Sequence, residues 1–305
     1  MPEKLKHLKD LSTQEQKEFM DSFDTVLCDI DGVIWSGKAP IEHTSAGIRA
    51  LRRQGKRVYF VTNNTTVSLA WILDRLAEFE IKKDEILRPD LALIWYLKSI
   101  NFDKEIYVVG FKSLKETLQQ AGFRVHDDND DHVEEIPHTI YKSINNINPN
   151  VGAVIMDVDV NITFIKMQKC VEYLKKNDAI FLVGGWDPVL PFNTTKLIGP
   201  KYFIQAVEDL SNKKPTILSK PSDEYHSVLS NIFKNVVPNR TLFIGDSILT
   251  DMAFAAKKGF KKLLPLTGCT TKEELTNWAF EEELKPDYYT NSVSDLEEII
   301  KNLTL

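Results

Sequence analysis

A chain of 305 residues, 43% hydrophobic and 27% charged, has ample apolar mass for a packed core, and its length suits about two domains. Its formal charge of −6 argues against a broad basic face for nucleic acid, although a metal and a few local donors still let an acidic protein hold phosphate. No apolar run nears the roughly 20 residues that span a bilayer, so no membrane partner is expected.

Short apolar runs alternate with longer amphipathic ones. Residues 23–28 read as a buried strand, 41–53 as a helix ended by Gly55, and 57–61 as a second strand. A helix over 68–79 and, after the polar break Lys82-Lys83, another over 84–99 follow. The next set opens with a strand at 106–109 and a helix from Ser113, then a strand at 152–156, a helix at 163–175 and a strand at 179–183. Helix 200–210, strand 215–218, helix 222–233, strand 241–244, helix 249–258, strand 262–266 and a last helix from Ser294 complete the chain. This order predicts an α/β protein with a doubly wound parallel sheet. The acidic stretch 127–131, with His132, Glu134 and Glu135, lacks the glycine and ligand spacing of a calcium loop and reads as a solvated loop.

Three cysteines, Cys28, Cys170 and Cys269, lie far apart with no CxxC pair, which suits a reducing compartment. The opening residues 1–12 lack the apolar stretch of a secretion signal. A cytoplasmic protein is therefore expected, and triplets such as Asn193-Thr194-Thr195 are not expected to be glycosylated.

Chemistry concentrates where strands run out. Asp29 and Asp31 stand two apart between an apolar run and Gly32, at the carboxyl end where open α/β sheets bind ligands. Two buried acids need a cation or a shared proton, and Mg²⁺ takes one or two carboxylates plus phosphate oxygens. Alone, the pair also reads as a turn with a helix cap. Thr62, Asn63 and Asn64 end the next strand, as phosphate donors or as the cap of the following helix. Lys220, in Ser219-Lys220-Pro221-Ser222, is a surface charge or the neutraliser of a phosphate or carboxylate. Gly245-Asp246 and Asp251 end a further strand, as ligands or as loop acids.

Taken in order, these strand ends resemble the haloacid dehalogenase-like superfamily, whose members form an aspartyl-phosphate. DIDGVIW, FVTNN, KPS, GD-x4-D and the tail from Leu266 to Thr270 with Lys285-Pro-Asp-Tyr-Tyr289 resemble its 4-nitrophenyl phosphatases, which include phosphoglycolate phosphatase and pyridoxal phosphate phosphatase (chronophin). The resemblance implies Asp29 as nucleophile and Mg²⁺ ligand, and Asp31 as general acid/base that lends its carbonyl to the metal. It implies Thr62 with the amides near Asn63 and Asn64 as the phosphoryl grip, Lys220 as neutraliser, Asp246 as metal ligand and Asp251 as its support. It also implies a Rossmann-like core of residues 1–103 and 214–305, with an α/β cap inserted at 104–213. Roughly 150 residues between Thr62 and Lys220 leave room for such a domain. Dimerisation through the cap and a small phosphorylated metabolite as substrate are the further expectations.

The chain departs from the family pattern at Ser219, where relatives carry Gly, and at Ser247 and Leu249, where an Arg and an Asp are lost. The cap loop, TN-x-D in relatives, reads as shortened to Gly185-Trp186-Asp187-Pro188. Trp186 and Asp187 are candidates for substrate selection, or a buried Trp beside a turn Asp. Two rival functions are a mutase-type phosphoryl transferase and a binding protein without turnover. The intact Asp29, Asp31, Lys220 and Asp246 argue against the latter.

Overall fold

The computed structural model describes residues 5–37, 39–126, 134–176, 178–192 and 195–304. The acidic stretch 127–131 with His132, and Asn193-Thr194, lie outside the described residues.

Strands that are apolar at every position need cover on both faces. Seven parallel strands form one sheet, in the order Lys6–His7, Tyr288–Thr290, Lys261–Pro265, Thr241–Ile244, Thr25–Cys28, Arg57–Val61 and Ile86–Leu87, and the central Thr241–Ile244 and Thr25–Cys28 are buried at every position. Successive side chains point to opposite faces. Val26, Cys28, Leu242 and Ile244 therefore pack with Phe19, Ile48, Leu51 and Ile299, from the helices Thr13–Asp21, Thr44–Arg53 and Asp295–Leu303. Leu27 and Phe243 pack the other way, against Leu93, Leu97, Tyr225 and Phe254 of the helices Pro89–Ser99, Asp223–Ile232 and Ala253–Lys258.

A second parallel sheet runs Thr216–Ile217, Ile180–Val183, Val151–Met156, Glu105–Val109, Arg124–His126. Ile106, Val108, Ala153, Ile155 and Leu182 on one of its faces join the apolar cluster that contains Leu27 and Phe243. Its other face carries Tyr107, Val154, Met156 and Phe181 under the helices Phe164–Lys176 and Lys201–Ser211. Burying one large apolar side chain is worth about 1.5–3 kcal/mol, so this shared cluster couples the two sheets.

Several elements differ from expectation. The helix expected over 84–99 starts at Pro89, and Ile86–Leu87 before it forms the edge strand. Pro89 holds Arg88 in extended backbone (φ −135°, ψ 159°), which no helix continues through. The helix expected from 41 starts at Thr44, because His43 has φ 62°. A wider turn, Ile248–Met252, precedes the helix Ala253–Lys258 that was expected to begin at 249. The strand expected to reopen the core, Thr216–Ile217, pairs with Leu182 and Val183 in the second sheet. The chain therefore leaves that sheet a few residues later than the boundary drawn at 213/214. Among the described residues, no helix is long and apolar enough to cross a membrane.

Candidate active site

The carboxyl ends of the two sheets face each other, which brings together loops that lie far apart in sequence. Asp29 follows the strand Thr25–Cys28, and its N–H continues the ladder to the Ile244 carbonyl at 2.8 Å. Lys220, two residues beyond Leu218 whose N–H bonds the Val183 carbonyl at 2.8 Å, enters from the second sheet. Its ammonium donates to Asp29 Oδ1 at 2.6 Å, Asp251 Oδ1 at 2.8 Å and the Val61 carbonyl at 2.8 Å, at 2% residue exposure. All three of its protons are thereby used. Burial lowers the affinity of Lys220 for its proton, but Asp251 and Asp29 outweigh it and hold the group well above the usual lysine range.

Asp246 is seated just as tightly. Cys269 N–H donates to its Oδ2 at 2.6 Å, and Thr267 Oγ1 donates to the Gly32 carbonyl at 2.6 Å, which draws the two loops together. Gly32 has φ +84°, and a Cβ there would lie 2.5 Å from Asp246 Oδ2; a Cβ at Gly268 would overlap the same oxygen. Ser247 N–H donates to Asp251 Oδ2 at 3.1 Å. Asp29, Asp246 and Asp251 each present an oxygen within 4.8 Å of the others. Burial raises Asp29 well above the usual carboxylate range and takes Asp246 up to about 6, with the neighbouring Asp251 adding to both. Three crowded carboxylates share one ammonium, an arrangement that favours a divalent cation.

Asp31 stands apart from this cluster. Its carboxylate receives Thr62 Oγ1 at 3.3 Å and Asn64 Nδ2 at 3.2 Å. Burial raises its proton affinity, and these two hydrogen bonds oppose the shift. Asn64 N–H donates to Thr62 Oγ1 at 3.0 Å, so the turn is folded on itself. The Asn63 side chain points elsewhere. It accepts Lys220 N–H at 2.9 Å, donates to the Lys220 carbonyl at 3.1 Å and reaches both Asp187 oxygens at 3.3 Å. Burial pushes Asp187 up to about 6. Trp186 packs on the cluster that includes Phe181 and Val183, with the Lys201 ammonium 5.7 Å from its ring centroid.

Four contributors escaped sequence reading. Tyr225 donates its hydroxyl to the Thr62 carbonyl at 3.2 Å. Arg88 donates to the Val67 carbonyl at 2.8 Å while pairing with Asp90. Thr65 and Asp157 bond each other across the two sheets at 2.9 Å. Asp157 carried a usable signal, since it is a further acid ending an apolar strand, like Asp29.

This architecture and site define a class, and sequence comparison agrees with it. A family model described as haloacid dehalogenase-like hydrolase matches residues 26–124, and a second, HAD-hydrolase-like model matches residues 203–296. The chain is 30% identical over 294 residues to the 4-nitrophenylphosphatase of Schizosaccharomyces pombe, covering 94% of this chain and 97% of that protein. It is 32% identical over 299 residues to phosphoglycolate phosphatase 2 of Arabidopsis thaliana, covering 96% and 98%. Its fold matches the p-nitrophenyl phosphatase from Archaeoglobus fulgidus with a TM-score of 0.75 at 26% identity, over 91% of this chain and 99% of that one. The chain belongs to the haloacid dehalogenase-like hydrolases. Within that family it is a phosphatase of the 4-nitrophenyl phosphatase and phosphoglycolate phosphatase subgroup.

Proposed function

We propose that this phosphatase hydrolyses small phosphorylated metabolites through an aspartyl-phosphate on Asp29, with Mg²⁺ as cofactor. The observation that carries the reading is the separation of two acids at one strand end. Asp29 lies 2.6 Å from the Lys220 ammonium inside the three-acid cluster, while Asp31 is held apart by Thr62 and Asn64. Asp29, Asp246 and the Asp31 carbonyl would hold Mg²⁺, with Asp251 steadying the site through Lys220 and Ser247. When bound, the ion offsets charge on the equatorial phosphoryl oxygens.

Asp29 attacks phosphorus, and the bond to the ester oxygen breaks as Asp31 gives that oxygen a proton. Asp31, now ionised, takes a proton from the water that attacks the aspartyl-phosphate. Phosphate leaves and Asp29 is restored. Thr62 and the amides near Asn63 and Asn64 grip the phosphoryl group, and Lys220 neutralises charge beside Asp29.

Trp186 and Asp187, within the inserted domain expected at 104–213, are our candidates for selecting the leaving group. The contact of Asp187 with Asn63 supports this, because it brings the loop to the phosphate-binding turn. Relatives named for 4-nitrophenyl phosphate and phosphoglycolate support small esters of the 2-phosphoglycolate kind, and the family resemblance adds those of the pyridoxal phosphate kind. Cys28, Cys170 and Cys269 form no disulfide, which suits a cytoplasmic setting. A homodimer through the inserted domain completes the proposal, supported by the exposure of Phe164 (71%) and Leu210 (59%) beside one groove.

Asp29→Asn tests the mechanism. Turnover of 4-nitrophenyl phosphate is expected to fall by at least about 10³-fold with the fold intact by circular dichroism. A purified variant retaining a tenth of the wild-type rate would remove Asp29 as nucleophile.

A further inference from the structure

Asp157 ends the strand Val151–Met156, on the second sheet, at 2% exposure. Its N–H bonds the Val109 carbonyl at 2.9 Å, which anchors it to the neighbouring strand. One carboxyl oxygen receives Val158 N–H at 2.6 Å and the other receives Thr65 Oγ1 at 2.9 Å. A Cβ at Gly184 would overlap the oxygen that meets Thr65, and one at Gly185 would lie 2.9 Å from the other oxygen. The two glycines thus clear the space that this carboxyl fills. Burial pushes the group up to about 7, with Asp187 and Asp90 adding to the shift. A buried acid is a costly way to fill space, and such groups gather at functional sites.

Its partner sits inside the turn that holds Asp31. Thr65 is 2% exposed and separates Asn64 from Thr66. Asn64 Oδ1 accepts Thr66 N–H at 2.9 Å and Thr66 Oγ1 at 2.7 Å, and its Nδ2 donates to Asp31. Ser113, from the helix Lys112–Gln120, adds a bond to the Thr65 carbonyl at 2.7 Å. The orientation of the Asn64 amide therefore depends on where Thr65 stands.

We propose that Asp157 is a positioning residue, which through Thr65 sets the placement of Asn64 and so of the Asp31 carboxyl. The inference rests on the reading of Asp31 as the proton donor to the leaving group. A misplaced proton donor matters more for a poor leaving group than for a good one.

The test compares kcat for phenyl phosphate and 4-nitrophenyl phosphate in Asp157→Ala, Asp157→Asn, Thr65→Val, the Asp157→Ala/Thr65→Val double variant and Asp31→Asn, with melting temperatures alongside. Thr65→Val removes the hydroxyl at nearly constant volume, so the test survives if Asp157→Ala fails to fold. Asp157→Ala and Thr65→Val are each expected to lose about tenfold on phenyl phosphate and less than about threefold on 4-nitrophenyl phosphate. Asp157→Asn still accepts Val158 N–H and offers its amide to the Thr65 hydroxyl, so it stays within about threefold of wild type on both. The double variant is expected to be no worse than either single one, because both break the same link. Equal losses on the two esters, or additive losses in the double variant, overturn the positioning role. Should Asp31→Asn itself lose equally on both esters, the reading of Asp31 fails. If only Asp31→Asn shows the leaving-group dependence, that reading stands and the role of Asp157 falls.

Discussion

At the scale of single residues, Asp29 and Asp31 share a strand end and differ only in what surrounds them. Asp29 meets an ammonium and two further acids, so its ionised form has a counter-charge. Asp31 meets a hydroxyl and an amide, which orient a carboxyl without supplying a full charge. That contrast is the general means of giving two carboxylates two tasks. Asp31→Asn is therefore expected to slow phenyl phosphate by about 10²–10⁴-fold and 4-nitrophenyl phosphate much less. A steady-state comparison of the two esters checks it, and parallel losses would assign Asp31 to some step other than leaving-group protonation.

At the scale of elements, the site depends on loops passing closer than side chains allow. The loop 266–270 follows the strand Lys261–Pro265 and lays Gly268 and the Cys269 N–H against Asp246. Gly268→Ala puts a methyl group where the Asp246 oxygen sits, so the carboxylate or the loop must shift. Gly268 is exposed, and little stability should be lost. The Mg²⁺ concentration giving half-maximal activity is expected to rise about 10–100-fold, the usual effect of disturbing a ligand's support. A metal titration with an unchanged midpoint would show that Asp246 does not hold the ion.

At the scale of the whole molecule, two parallel sheets are joined by one apolar cluster and meet at their carboxyl ends. The groups proposed as catalytic then come from both, with Lys220 following the second sheet and Asp29 the first. The outer helices Phe164–Lys176 and Lys201–Ser211 cover the far face of the second sheet and leave Phe164, Tyr202 and Leu210 exposed. If that face joins two copies, Phe164→Glu with Leu210→Glu should give a monomer by sedimentation while the wild type sediments as a dimer. A monomeric wild type at micromolar concentration would end the dimer proposal.

Much of this was legible from residues alone. Parallel strands buried on both faces read as unbroken apolar runs, so the strands ending at Cys28, Val61, Ile244 and Met156 stand out, with polar residues at the ends where ligands bind. That order of strand ends and acids carried the family resemblance, and the phosphatase reading came from that resemblance. Two-residue edge strands such as Lys6–His7 and Ile86–Leu87 have no period to read, and the latter vanished into an expected helix until Pro89 broke it. Local pattern also left open where each polar side chain would turn. Asn63, Thr65, Asp157 and Asp187 find their partners across 92 to 157 residues of chain. Only the docking of one sheet's carboxyl end on the other decides those pairs, because hydrogen bonds are short and directional while sequence distance says nothing about approach.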